Sequence, residues 1–321
     1  MQYGYADKKH EEFPPMVIVS IVNICNLKCQ HCFWPKLASM EGYRGNMMSW
    51  EHWKKVIDEM SYHTYSVLNL GTDGEPLMHT DFIKMLRYAK SQNIFPINMT
   101  TNGILLKGQI LETIINEELI DTINVSLDAF TTNTFVKIRG GKGSTFSKIK
   151  ENVINAYKLK TRYKKKIKIM VNIIDQPLAR SELKDFQDYW NGKVDLVITR
   201  KYYTATAETG GTGPDITGDQ DFQKTDRWPC TLFWRRITIT DDGGIQYCID
   251  DWLHKSRLGH LDQNSIKDIW TSKTYNKLRE YHLKGQQHKN PYCADCTEWQ
   301  GMTWDFDYFV AMEKMIGKQL L

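Results

Sequence analysis

Long apolar runs are absent from this chain of 321 residues. None reaches the roughly 18–20 consecutive apolar residues that a helix needs to cross a bilayer. The N-terminal stretch Met-Gln-Tyr-Gly-Tyr-Ala-Asp-Lys-Lys-His holds no apolar core of the kind an export signal requires, so a cytoplasmic protein is expected. An excess of one charge is also lacking. Forty-two Lys and Arg face 38 Asp and Glu, a net of +4, which gives little support to a nucleic-acid partner. The one basic run, Arg162-Tyr163-Lys164-Lys165-Lys166-Ile167-Lys168, reads as a solvated helix end ahead of a strand. Internal repeats and low-complexity tracts are missing too. Nor do the cysteines pair evenly. There are seven, and in a reducing compartment metal binding is favoured over disulfides. Seven divides naturally as three plus four.

What is present is alternation. Residues 16–24 (Met-Val-Ile-Val-Ser-Ile-Val-Asn-Ile) are β-branched and follow Pro14-Pro15, which predicts a buried strand. Ser49 then caps a helix with Trp53, Val56, Ile57 and Met60 on its apolar face. Further strands are expected at 66–70, 96–100, 122–127, 167–174 and 194–199, and helices at 82–91, 107–118, 146–160 and 181–190. Such alternation demands an α/β fold of parallel strands with crossover helices, either doubly wound or a barrel. Periodicity does not separate the two. Both gather ligand-binding groups at the carboxyl ends of the strands. Cys25, Asp73-Gly74-Glu75, Thr101-Asn102, Ser126, Asp128, Asn172 and Arg200 all fall there.

The first cysteine group is Cys25-Asn26-Leu27-Lys28-Cys29-Gln30-His31-Cys32, at CxxxCxxC spacing directly after the first strand. A loop this short can wrap one metal cluster. Three thiolates on a four-cornered cubane leave one iron open, and an open metal position is where chemistry occurs. The alternative is a zinc site completed by His31 or a distant residue. After the sixth strand, residues 201–229 are polar and Gly-rich and read as a linker, lid or binding loop. Alternating runs at 235–240 and 244–247 flank Asp241-Asp242-Gly243-Gly244, a hairpin signal. Ser265 caps one helix, and a second follows around 275–283. Cys230, Cys248, Cys293 and Cys296 stand at C-x17-C-x44-C-x2-C, enough to saturate a cubane or a tetrahedral zinc. The aromatic tail at 299–321 reads as a helix packed on the core or capping a pocket.

Cys25, Cys29 and Cys32 at this spacing resemble the signature of the radical S-adenosylmethionine (SAM) superfamily. The resemblance implies a partial (β/α)6 barrel over 16–205, after an N-terminal extension at 1–15. It also implies a [4Fe-4S] cluster whose open iron holds SAM and cleaves it to a 5′-deoxyadenosyl radical that abstracts hydrogen from substrate. Gly71-Thr72-Asp73-Gly74-Glu75-Pro76 resembles the Gly-Gly-Glu turn that contacts the SAM amino group, with Asp73 standing where a glycine is common. His31 precedes the third cysteine, where an aromatic residue near the adenine is usual. Thr101-Asn102-Gly103, Ser126-Leu127-Asp128 and Arg139-Gly140 resemble further family elements. They make Asn102, Ser126, Asp128 and Arg139 candidate cofactor contacts, with Ser126 and Arg139 on the SAM carboxylate and ribose. Asn172 joins them as a ribose or carboxylate contact.

The segment 230–321, reached through a linker at 206–229, resembles the small α+β SPASM/Twitch domain. It has cysteines for one auxiliary [4Fe-4S] cluster, on Cys230, Cys248, Cys293 and Cys296. That arrangement is most similar to single-auxiliary-cluster dehydrogenases of the 2-deoxy-scyllo-inosamine type. It implies a radical oxidoreductase that converts an alcohol of a small sugar or aminocyclitol to a ketone. The auxiliary cluster would accept the electron, and a flavodoxin or ferredoxin-type donor would supply reducing equivalents. Lys201, Tyr202 and Tyr203 are candidates for the base. Peptide modification is an alternative, although only about fifteen residues precede the first strand, which leaves no room for a leader-recognition domain. Redox-neutral epimerisation or elimination is another. From a different class comes a zinc-stabilised nucleic-acid-binding or interaction protein.

Overall fold

Six parallel strands lie side by side in chain order: β1 (Met16–Val19), β2 (Val67–Leu70), β3 (Ile97–Thr101), β4 (Thr122–Ser126), β5 (Lys168–Asp175) and β6 (Leu196–Lys201). They are seen in a computed structural model that describes residues 3–201, 227–296 and 299. The unbroken order settles what periodicity left open. A doubly wound sheet reverses its strand order at a switch point, and this one does not. The intervening helices are α1 (Trp34–Leu37), α2 (Trp50–Ser61), α3 (Phe82–Ser91), α4 (Gly108–Asn116), α5 (Thr132–Arg139), α6 (Gly143–Arg162) and α7 (Leu183–Trp190). The Ser49 hydroxyl accepts from His52 N–H and starts α2, and Trp53, Val56, Ile57 and Met60 are its buried stripe.

The C-terminal part continues the same sheet. After α8 (Leu232–Arg235) come β7 (Ile237–Ile239), β8 (Gly244–Gln246) and β9 (Arg257–His260), then α9 (Ile266–Trp270), α10 (Lys273–Leu283) and α11 (Pro291–Ala294). β7 pairs in parallel with β1, Val17 opposite Ile237 and Val19 opposite Ile239. β8 and β9 add on antiparallel, giving nine strands in the order 6-5-4-3-2-1-7-8-9. The barrel therefore stays open, with β1 given to β7 rather than to β6. No described helix is long and apolar enough to cross a membrane.

Because side chains alternate along a strand, the sheet has two unlike faces. Val17, Val19, Leu68, Leu70, Met99 and Val125 belong to the hydrophobic core. Apart from Ile18, the residues between them are polar. Asn69, Asn98 and Thr122 stand in one register across β2, β3 and β4, and Thr238 of β7 joins that row beyond Ile18. All four polar residues are buried.

Several boundaries differ from expectation. The first strand ends at Val19, not at 24, because Ile21 and Val22 turn to pair with 47–48: Met48 N–H donates to Ile21 O at 2.8 Å, and Val22 bridges Met47. Arg235 closes a helix instead of opening a strand. α5 and β9 had no counterpart in the sequence reading.

Candidate active site

Three of the sequence motifs meet where β1 ends. Glu75 N–H donates to Ile24 O at 2.8 Å, directly before Cys25. A Cβ on Gly74 would sit 2.5 Å from Ile24 O and 2.8 Å from Val22 O, so only glycine allows the two backbones so close. The buried Glu75 carboxylate accepts from Thr101 Oγ1 (2.6 Å), Asn102 N–H (2.7 Å) and Leu77 N–H (3.2 Å). It braces the ends of β2 and β3, and Oε2, with the one donor Asn102 N–H, keeps acceptor capacity for a further donor. Burial raises its pKa, and the bond from Asn102 N–H pulls the other way. Asn102 closes the circuit. Its Nδ2 donates to Asn26 Oδ1 at 2.6 Å and lies 3.9 Å from Cys25 Sγ.

The other side of the cysteine loop rests on the end of α5. Lys28 N–H donates to Arg139 O and Gln30 N–H to Ile138 O. Gly140, at φ +68°, leaves no room for a side chain, since a Cβ would fall 2.7 Å from Lys28 O. Arg139 Nη1 donates to Asp128 Oδ2 at 2.7 Å, and both side chains are buried. Burial works against the Arg139 charge, but Cys29 and Asp128 hold it firmly cationic. Its forked head therefore already has a carboxylate, from Asp128, and it faces the thiols. His31 Nε2 lies 3.6 Å from the same Asp128 oxygen, and burial lowers its pKa to about 4. Ser126 and Asn172 come together as expected: Asn172 Nδ2 donates to Asn124 Oδ1 (2.8 Å) and reaches Ser126 Oγ (3.2 Å).

The donor set fits iron–sulfur clusters. Burial pushes the Cys29 thiol up to about 11 and the Cys32 and Cys230 thiols up to about 12, and it raises Cys25, Cys248 and Cys293 as well. Thiols held this way lose their protons to a cation that they bind. One zinc ion, bound at about 2.3 Å, would draw its sulfurs to about 3.8 Å from each other. Among the described residues, neither cysteine group brings three sulfurs within 4.8 Å of one another, a spread that suits a larger cluster. Around the second group, Cys230 N–H donates to His282 Nδ1 at 3.2 Å, and Asn290 Nδ2 reaches both Cys293 Sγ (3.2 Å) and the Tyr247 hydroxyl (2.8 Å). A ring contact joins the two segments: Phe33, next to Cys32, packs on Trp252, four residues beyond Cys248, with ring centroids 6.0 Å apart.

Asp73, expected as a cofactor contact, stands directly before Gly74 and Glu75 in the turn after β2. It is buried, Oδ1 has no partner, and its pKa is raised to about 7, by burial first and then by the charges of Asp241 and Asp251, against the pull of the Thr72 and Ser20 hydroxyls. Sequence reasoning missed Asp241 and Asn46, because nothing local says that β7 lies beside β1. It also missed the polar inner face, although Val-Leu-Asn-Leu and Thr-Ile-Asn-Val-Ser carry that signal in their alternation. Of the candidate bases, Lys201 ends β6, and Tyr202 and Tyr203 lie outside the described residues, as do 206–226 and 300–321.

Comparison with known proteins agrees with this geometry. The Radical SAM superfamily matches residues 19–178, and SPASM, an iron-sulfur cluster-binding domain, matches residues 230–297. A probable GTP 3′,8-cyclase of Methanococcus maripaludis is 24% identical over 305 residues, covering 86% of this chain and 95% of its own. Among solved structures, BtrN in complex with AdoMet and 2-DOIA superposes with a TM-score of 0.57 at 16% identity, over 92% of this chain and 97% of its own. SuiB of Streptococcus suis bound to the precursor peptide SuiA gives a TM-score of 0.66 at 17% identity, over 96% and 75%. At those identities the structures share the fold.

Proposed function

The chain belongs to the radical SAM superfamily and carries a SPASM iron-sulfur domain behind its barrel, and on that footing we propose that it oxidises an alcohol of a polar small molecule to a ketone. Cys25, Cys29 and Cys32 would hold the SAM-binding cluster, and Cys230, Cys248, Cys293 and Cys296 the auxiliary one. When bound, these groups supply a 5′-deoxyadenosyl radical for hydrogen abstraction and an acceptor for the electron left behind, with a flavodoxin or ferredoxin-type protein as donor. The chain's own residues prepare the ground. Arg139 offsets the charge of the first three thiolates, Asn102 fixes Cys25 against the Glu75 turn, and the helices outside the sheet keep water from it.

The observation that carries this reading is the inner face of the barrel. Asn69 Oδ1, both amide atoms of Asn98, Thr122 Oγ1 and Thr238 Oγ1 are buried without partners. Buried polar groups of that kind want hydrogen bonds, and a hydroxylated substrate supplies them. A nucleoside triphosphate, the substrate named for the cyclases, is disfavoured by the carboxylates of Asp73, Asp241 and Asp251 near the strand ends. The test is anaerobic turnover of reconstituted protein with reduced clusters, SAM and a panel of cyclitols and hexoses. Equimolar 5′-deoxyadenosine and ketone are expected. Cys230→Ala protein that keeps its first cluster should still cleave SAM but lose the ketone; undiminished ketone would overturn the electron-accepting role.

A further inference from the structure

Where α2 meets the C-terminal part, two histidines and a carboxylate converge. His52 comes from the first turn of α2, His260 ends β9, and Asp262 follows two residues later. One ligand atom from each lies within 4.8 Å of the other two. His52 Nε2 is 3.1 Å from Asp262 Oδ1, and His260 Nδ1 is 3.4 Å from Asp262 Oδ2. Ligands at about 2.0–2.1 Å from a tetrahedral zinc stand about 3.3 Å from each other, so both separations match. The two imidazole rings meet edge to face, with centroids 5.4 Å apart.

Backbone contacts hold the three side chains in place. Leu261 N–H donates to Gly243 O at 2.8 Å, and Gln263 and Asn264 N–H both donate to His260 O at 2.9 Å. That turn sets His260 and Asp262 side by side. Gly243, at φ +91° between β7 and β8, makes room for the third member, since a Cβ there would fall 2.7 Å from a ring carbon of His52. His260 Nδ1 accepts from Asp262 N–H at 3.2 Å, so it carries no proton. It meets Asp262 Oδ2 as one acceptor against another, a contact that a cation relieves. Lys55 supplies a cation to one side only: its Nζ donates to Asp262 Oδ1 at 2.8 Å and to Leu261 O at 3.0 Å. Lys55 and Asp262 also line an open cleft of about 960 Å³. The ammonium has space to swing aside there, and water has space to enter.

We propose that His52, His260 and Asp262 form a binding site for a divalent cation of the zinc class, which clamps α2 to the end of β9. Two imidazoles and a carboxylate suit zinc, with water from the cleft as fourth ligand. Magnesium, which prefers oxygen ligands throughout, is poorly served. The metal joins positions more than two hundred residues apart in sequence. It takes the place that Lys55 holds at Asp262, so lysine and metal compete. The site uses none of the cysteines, and it does not depend on which reaction the barrel performs.

The experiment is anaerobic equilibrium dialysis of untagged holoenzyme, both clusters loaded, against buffered zinc in excess magnesium, with zinc and iron counted per chain. One zinc should bind at micromolar or lower free zinc, iron should stay constant, and the melting temperature should rise with zinc. His260→Ala should weaken binding at least about tenfold and abolish that rise; His52→Gln carries the same expectation should the first variant fail to fold. Lys55→Gln, which removes the competitor, should bind zinc severalfold tighter. No uptake overturns the proposal. So does equal uptake by His260→Ala and His52→Gln, which marks an adventitious ion only. Zinc gained as iron is lost overturns it in favour of the cysteines, and a Lys55→Gln protein that binds no tighter places the metal away from Asp262.

Discussion

Asp73 is held where its charge is expensive. Its folded pKa of about 7 stands well above the ordinary 3.8, so across that interval the folded chain keeps a proton that the unfolded chain has released. Stability from that proton is complete at low pH and is lost as pH rises through the folded value. Asn, with the same shape and no charge, does not pass through this transition. Asp73→Asn should therefore become more stable relative to wild type by roughly 1–2 kcal/mol on going from about pH 5.5 to about pH 7.5. Urea midpoints measured anaerobically at both pH values read the difference; a constant offset would mean that Asp73 ionises normally.

Helices and strands with a strong local signal were legible in the sequence. Ser49 and Ser265 cap helices as expected, and α3 spans the residues its apolar spacing predicted. α5 was not legible, because Thr132–Arg139 carries a weak apolar stripe and its buried residues include Thr134 and Arg139. The motif residues of the site were legible as types and as strand ends, but not as partners. That Glu75 braces Asn102, or that Arg139 pairs with Asp128, needs the fold. Least legible was the junction with the C-terminal part, built wholly from long-range contacts. α2 reaches across with three side chains: His52 Nε2 lies 3.1 Å from Asp262 Oδ1, Lys55 Nζ donates to the same oxygen at 2.8 Å, and Glu59 accepts from the first amides of α9, Ile266 and Lys267, at 2.8 Å each. Glu59 thus caps a helix more than two hundred positions away in sequence, where the helix dipole favours a carboxylate. Glu59→Ala should destabilise the protein by roughly 1–2 kcal/mol, and Glu59→Gln by less. Thermal melts of the two variants test this, and equal, negligible shifts would show the ion pairs at Asp262 to carry the junction.

At the scale of the whole molecule, the two cysteine groups differ in how much chain they tie together. The first is one short loop already pinned by protein contacts: Gly74 and Glu75 on Ile24, Lys28 on Arg139, Gln30 on Ile138. The cluster proposed for it would fasten a loop that these contacts already position. The second draws on three separate places, before α8, after β8, and the Cys293-Ala294-Asp295-Cys296 turn at the end of α11. Closing those long loops in the unfolded chain carries an entropic cost that the cluster proposed there would offset only in the folded state. Cys293 sits at the centre of this arrangement, since the Asn290 amide reaches its sulfur and Arg227 donates to its carbonyl at 2.7 Å. Loss of the two clusters should therefore cost unequal stability, although each variant loses about four irons per chain. Cys293→Ala should lower the anaerobic melting temperature by roughly 5–10 °C, and Cys29→Ala by only a few degrees. Equal drops, or a larger one for Cys29→Ala, would mean that the first loop is organised by its cluster and not by the strand ends around it.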